Sequence, residues 1–336
     1  MNLKQNDKCG IDIQNKKVNI RTKQNIEQQN KTPSLASDGV LLYNFIMSDK
    51  TIKRVGILRG GAGKHYNSSL QKGGELILYI AENLGDKYKP VDILVDKDYI
   101  WHINGVPILP VDLIHKVDIV WNTSHPSFSN VLDSLSIPNI GVNSFSSGLE
   151  NSRDSLREHI KNIGLPMPRQ VASPKSAREV FEKFGSPWIV KYFTEDSNTE
   201  IHIVKTFPEL ANAISEGVKN RKSILVEEFI PGKIASLHTI PHFRESNIYT
   251  FPLGSTFGSF SNEEKDKLTS FAKTLHIHLG ARHYLKSDFV LTPRGKVYLL
   301  QIDENPDLQS DSHFSEACES VGAQMHHVVE HILEQA

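Results

Sequence analysis

The chain has 336 residues, 38% of them hydrophobic, with 38 basic and 39 acidic side chains and a formal net charge of −1. That length suits two or three domains of ~100–200 residues, and the charge balance excludes a global field that would recruit nucleic acid or an anionic membrane. Two cysteines, Cys9 and Cys318, make neither a disulfide framework nor a CxxC site; with no apolar run of ~18 residues and no signal-peptide pattern, the expected setting is the reducing cytoplasm.

Met1–Pro33 is rich in Asn, Gln and Lys without a sustained apolar period, so residues 1–50 read as a flexible polar extension. Order is expected from Arg54-Val-Gly-Ile-Leu-Arg59, an apolar strand running into Gly60-Gly61. A helical pattern spans Ser68–Leu84, strands follow at Val91–Val95 and Val117–Trp121, and a helix covers Ser127–Leu135. This alternation predicts a parallel α/β domain over 51–143. A second unit, 144–232, opens with a helix from Asn151 to Ile163 and Gly164-Leu-Pro166. It continues with strands at Arg169–Ala172, Trp188–Tyr192, Ile201–Val204 and Ser223–Glu228, and helices at Lys175–Phe184 and Phe207–Val218. The third unit, 233–336, holds an antiparallel segment, a helix over Asn262–Leu279, a hairpin around Asp288 and a final helix to Glu334.

The hairpin carries the most chemistry. Lys286-Ser-Asp288-Phe-Val-Leu and Val297-Tyr-Leu-Leu-Gln301-Ile-Asp303-Glu-Asn305-Pro306 flank a Pro-Arg-Gly turn. Period-2 alternation puts Gln301 and Asp303 on one face, where Asp288 of the neighbouring strand can join them. Oxygen ligands on paired strands suit Mg²⁺ shared with nucleotide phosphates; a polar-faced hairpin on a solvated sheet has the same pattern.

Other motifs divide similarly. Gly60-Gly61-Ala62-Gly63-Lys64-His65 fails the phosphate-loop spacing, because Leu58 stands where its first glycine belongs. It reads as a tight strand-to-helix turn whose free N–H groups face the ligand side of the domain. His327-Val-Val-Glu330-His331 fits an inverted zinc-protease pattern without a downstream third ligand, and a surface face of an amphipathic helix explains it better. Lys191 ends a buried strand, where a lysine suggests an anion. Val226-Glu227-Glu228-Phe229-Ile230 before Pro231-Gly232 reads as an adenine-binding hinge or a plain interdomain connection.

Taken in order, these features resemble the ATP-grasp superfamily, specifically its D-alanine–D-alanine ligase branch, from about Arg54 to Ile332. The resemblance implies an N-terminal parallel α/β domain followed by a two-part ATP-grasp module. It implies ATP and Mg²⁺ as cofactors, small amino acids or related carboxylates as substrates, and a homodimer as the usual assembly. The expected activity is ATP-dependent carboxylate–amine ligation through an acyl phosphate. By resemblance Lys191 and Arg157 would hold phosphate, while Glu227 and the backbone of Glu228, Phe229 and Ile230 would face adenine. Asp288, Gln301 and Asp303 would face Mg²⁺. Lys286 takes the place of the arginine that steadies the tetrahedral intermediate, and Lys64 and His65 lie in the first-domain substrate loop.

Several residues depart from the family pattern. Gln301 replaces a carboxylate, which favours one tight Mg²⁺ over two. Thr194-Glu-Asp-Ser-Asn-Thr-Glu200 replaces the glycine-rich phosphate flap with an acidic segment. Ile234 replaces the ribose glutamate, Asp307 the glycine after the signature proline, and Lys64 the glutamate that meets the first amino group. The tyrosine-rich lid is absent between Phe251 and Ser261. Two readings follow: a ligase of altered amino-acid specificity, or a catalytically weak or inactive nucleotide binder. A zinc hydrolase built on His327 and His331 is the remote third.

Overall fold

The computed structural model describes residues 52–62, 66–141, 153–193, 199–253 and 259–336. The expected N-terminal extension, Lys64, His65, most of the acidic flap and the centre of the lid segment lie outside the described residues. Residues 50–336 form one compact unit, and the described residues within it make three sheets.

The first sheet has the order β4-β3-β2-β1-β5-β6. Its centre, β1 (Lys53–Gly60), is buried at four consecutive residues, as befits a strand covered on both faces. It pairs in parallel with β2 (Tyr88–Val95) and β5 (Ile119–Asn122), and β6 (Asn139–Ile140) extends β5. Beyond β2 the sheet turns antiparallel through β3 (Trp101–Ile103) and β4 (Val106–Ile108), so the domain is mixed and not purely parallel. The reason lies in Asn104-Gly105: both adopt positive φ, 50° and 77°, as a tight hairpin turn requires. Helix α1 (Tyr66–Asn83) lies on this sheet with Ser69, Gly73, Leu76 and Ile80 buried at helical spacing. It approaches closely because Gly73 has no side chain; a Cβ there would stand 2.7 Å from that of Arg59. Helix α2 (Ser127–Ser134) follows β5.

Helix α3 (Arg153–Lys161) leads to the second sheet, order β7-β10-β8-β9, in which every pairing is antiparallel. Its strands are β7 (Gln170–Ala172), β8 (Trp188–Phe193), β9 (Thr199–Val204) and β10 (Ser223–Glu228). Helices α4 (Ala177–Lys183) and α5 (Phe207–Lys219) pack onto it around Trp188, Val190, Leu210 and Val226. Their starts are set by Ser176 and Thr206, each of which caps the backbone N–H three residues on.

The third sheet, order β12-β11-β13-β14, is also antiparallel: β11 (Lys233–Pro241), β12 (Ile248–Thr250), β13 (Leu285–Leu291) and β14 (Val297–Asp303). Helix α6 (Asn262–Leu279) covers one face, with Leu268, Ala272, Leu275 and Leu279 packed against Leu237, Leu285 and Phe289. The expected final helix to Glu334 is α8 (Met325–Glu334); an additional helix, α7 (His313–Ser320), precedes it, and Gly322 between them takes φ 65°.

The buried clusters do not follow three units. Val55, Ile80 and Trp121 of the first sheet share one core with Phe251, Tyr284, Phe314, Val329 and Ile332 near the C-terminus. The second sheet keeps a core of its own.

His276 and His283 are 1% and 8% exposed, and burial lowers the pKa of each to about 4. An unfolded chain takes up these protons near pH 6.5, whereas the folded chain resists until about 4. Stability is therefore highest above pH ~6.5 and falls as pH drops toward 4, on the order of 3 kcal/mol for each histidine. Urea midpoints across this window should fall with pH, and His276→Gln should flatten the slope.

Candidate functional site

Strand pairing places the hairpin's polar side chains on one face. Asp288 lies opposite Gln301, and Lys286 opposite Asp303; on the other side of β13, Ser236 lies opposite Asp288 and His238 opposite Lys286. A β-bulge after Asp288 shifts the register of β14 by one residue, which allows Gln301 and Asp303 to share that face while Leu299 stays in the core.

Each carboxylate here has a cation near it. Asp288 Oδ1 accepts from Ser236 Oγ at 2.6 Å, and its Oδ2 stands 3.6 Å from Lys286 Nζ. Asp303 Oδ2 is 3.5 Å from Lys72 Nζ on α1, and its Oδ1 accepts from Asn305 N at 2.9 Å. Among the described residues no group of three or more His, Cys, Asp or Glu is arranged to hold a metal. The donors on offer are two carboxylates and the Gln301 amide, all oxygen, and the buried Asn305 Oδ1 finds no hydrogen-bond partner among the described residues. Such a set fits a hard cation that retains water.

Beside this face lies a cavity of about 240 Å³. One wall is α1, with Lys72, Glu75 and Leu76; the other is formed by Lys286, Asp303 and the 305–314 segment, with Trp121 at the base. Gln309 Nε2 donates to Glu75 Oε1 at 2.9 Å across the rim. Asp307 also lines the cavity, where its Oδ1 accepts from Gln309 N at 3.1 Å.

On the second sheet Lys191 Nζ pairs with Glu227 Oε2 at 2.6 Å, with side chains 20% and 8% exposed. Glu228 is engaged elsewhere: Arg169 grips it with Nε at 2.9 Å and Nη2 at 2.6 Å, which lowers the pKa of its carboxyl and raises that of the guanidinium. The backbone N–H groups of Glu228 and Phe229 donate to Arg169 O and Pro187 O at 2.8 and 3.2 Å. Arg157 pairs with Asp154 and donates Nη2 to Pro168 O at 2.7 Å, while its buried Nε has no hydrogen-bond partner among the described residues. Ile234 is 44% exposed and follows the same alternation as Ser236 and His238.

Two expectations require correction. Within the 60–65 turn the N–H groups of Gly60 and Gly61 are not free: Gly60 N donates to Ser69 Oγ at 2.9 Å and Gly61 N to Val95 O at 2.7 Å, while residues 63–65 lie outside the described residues. Positive φ at both glycines turns the chain into the sheet's own bonds. The His327–His331 helix is not a plain surface face. His331 Nε2 donates to Pro241 O at 2.9 Å and its ring packs on Phe243, while Glu330 pairs with Lys87.

The motif reading missed His238, Tyr284 and His313, which form a hydrogen-bonded row at the cavity. A histidine in the apolar run of β11 was the available signal. Lys72 and Glu75 carry no local signal beyond their place on the outer side of α1.

The sequence profile described as "D-ala D-ala ligase C-terminus" matches residues 256–334. A D-alanine–D-alanine ligase of Geobacter sulfurreducens is 26% identical over 313 residues, covering 84% of this chain and 94% of that one. One from Desulforudis audaxviator is 22% identical over 309 residues, covering 85% and 99%. Among solved structures, D-alanyl-alanine synthetase A of Vibrio cholerae superposes with TM-score 0.67 at 16% identity, covering 84% of this chain and 98% of its own. The D-alanine–D-alanine ligase of Bacillus anthracis complexed with ATP gives 0.63 at 19% identity, with coverage of 84% and 96%.

The Lys191–Glu227 pair should behave as a coupled unit. Lys191→Met removes the ammonium beside the buried Glu227 carboxylate and should cost about 3 kcal/mol. Pairing it with Glu227→Gln should recover much of that loss, as a double-mutant cycle of denaturation midpoints would show.

Proposed function

Because the chain is an ATP-grasp protein of the D-alanine–D-alanine ligase-like branch, we propose that it is an ATP-dependent carboxylate–amine ligase acting on small amino acids or related carboxylates. The observation that carries this reading is the single sheet face bearing Asp288, Gln301, Asp303 and Lys286 at the edge of a cavity of about 240 Å³. In this reading the three units 51–143, 144–232 and 233–336 enclose the site. The cytoplasmic setting and the homodimer expected from the resemblance go with it.

Lys191 would leave Glu227 for phosphate oxygens, Arg157 would supply a second cation, and Glu227 with the carbonyls of Glu228 and Phe229 and the backbone of Ile230 would receive adenine. Asp288, Gln301 and Asp303 would hold Mg²⁺, which when bound neutralises phosphate charge. ATP would supply a γ-phosphoryl group to a substrate carboxylate with departure of ADP, and an amine would then displace phosphate from the acyl phosphate, losing a proton as the amide forms. Lys286 would face the oxyanion of the second step, as a point charge without an arginine's planar fork. Lys64 and His65 would meet the first substrate, and a lysine there selects for a carboxylate over an ammonium. That charge supports an amino-acid specificity different from the relatives'.

A second reading, nucleotide binding with little turnover, is favoured by Gln301 in place of a carboxylate and by the internal partners already held by Lys191 and Arg157. Phosphate release from Mg-ATP with and without pooled D- and L-amino acids and dicarboxylates separates the two. Pool-dependent release is expected, and Asp288→Asn or Lys191→Met should lower it about 10²-fold or more. Saturable ATP binding with no pool-dependent release would sink the ligase reading.

A further inference from the structure

His238 is 2% exposed and holds two partners: Tyr284 Oη at 2.6 Å on Nδ1, and His313 Nδ1 at 2.8 Å on Nε2. Tyr284 is 2% exposed, and its hydroxyl has no other hydrogen-bond partner among the described residues. His238, Tyr284 and His313 all line the cavity with Lys286.

The direction of the row follows from donor counting. A buried phenol with one partner donates its proton, since an imidazole lone pair is the better acceptor and an undonated O–H is costly. Burial raises the Tyr284 pKa well above the usual phenol range and lowers that of His238 well below its own, so neither is ionised near neutral pH. His238 Nδ1 therefore accepts, its proton resides on Nε2, and that N–H donates to His313 Nδ1. Burial also lowers the pKa of His313, so its single proton falls on Nε2, the ring edge opposite Nδ1. The charged groups acting on the row are Lys286 and Asp288 on β13, Asp303 and Asp307 beyond it, and Glu316 on α7, with the buried Cys318 thiol behind Tyr284.

We infer that Tyr284 and His238 are positioning residues that fix His313 as an Nε2–H donor on the cavity wall, where with Lys286 it binds a carboxylate of a small amino-acid substrate. One neutral donor beside one ammonium matches a group of charge −1, and the apolar wall of Leu76, Trp121 and Phe314 accommodates a short side chain. The inference rests on the ligase reading only for the size of the substrate.

Nitrogen-15 histidine spectra of the full chain at pH 7, assigned with His313→Gln and His238→Gln, test it without turnover. Expected are a proton on Nε2 of His313, none on its Nδ1, and a saturable shift of Nε2 when D-alanine is added with Mg²⁺ and a non-hydrolysable ATP analogue. D-Alaninamide, which lacks the carboxylate, should bind roughly 10- to 100-fold more weakly. His313→Gln should weaken D-alanine by about 10-fold, with nucleotide affinity measured alongside as the control for folding. A proton on Nδ1, equal affinity for acid and amide, or a shift with inorganic phosphate but not with D-alanine would each overturn the proposal. A D-alanine shift at His313 without pool-dependent phosphate release would remove the ligase reading and leave this site standing.

Discussion

One apolar core joins the two ends of the described chain. Ile80 of α1 and Trp121 of β5 pack with Phe251, Phe314 and the buried face of α8, so the first sheet and the third cannot separate without exposing that surface to water. Burial of this kind supplies attraction but little direction. Direction comes from the polar rim, where Lys72 meets Asp303, Gln309 meets Glu75 and Lys87 meets Glu330. Half-exposed pairs such as these are worth little individually; their effect is to set how α1 faces the segment after Asp303. The cavity exists because the core fixes its two walls.

A second theme is that the anions of the site are provided for internally. Asp288 has Lys286 and Ser236, Asp303 has Lys72, and Glu227 has Lys191. In the proposed reading an incoming phosphate or metal ion would not meet bare charge. It would exchange partners: phosphate would take the Lys191 ammonium from Glu227, and a cation would take the carboxylates from Lys286 and Lys72. Such an exchange costs less than desolvating a lone buried ion, but it returns correspondingly less. Glu228 stands apart from this economy, because Arg169 holds both its oxygens and the hinge strand with them.

Sequence periodicity resolved most of the fold because its strong signals are local. The limits of β10 and α6 emerge as the pattern predicts, since Ser261 caps α6 and Gly280 ends it. The β3–β4 hairpin was missed although Asn104-Gly105 advertises it, because three-residue strands are too short for alternation to register. Helix α7, on the far side of Gly322 from α8, was missed as well. Of the candidate site, the shared face of Asp288, Gln301 and Asp303 was legible, since strand period decides which face Gln301 and Asp303 take. The row from Tyr284 to His313 was not: its members lie on β11, on α7 and just before β13, and only the pairing of β11 with β13 and the docking of α7 bring them together. Arg157 and the Gly60-Gly61 turn show the reverse limit, where a motif position is clear but the partner that consumes its donors is not.

The second sheet shares little of this architecture. Trp188, Val190, Leu210 and Val226 close a core of their own, reached from the third sheet through the short connection at Phe229–Gly232. The described residues bury four clusters, and the second sheet's is confined to that sheet. Backbone amides of β8 and β10 should therefore exchange with solvent through openings that leave the first and third sheets protected. In the proposed reading, a protein built this way would keep the cavity beside Lys286 assembled while the sheet that would carry the nucleotide breathes on its own.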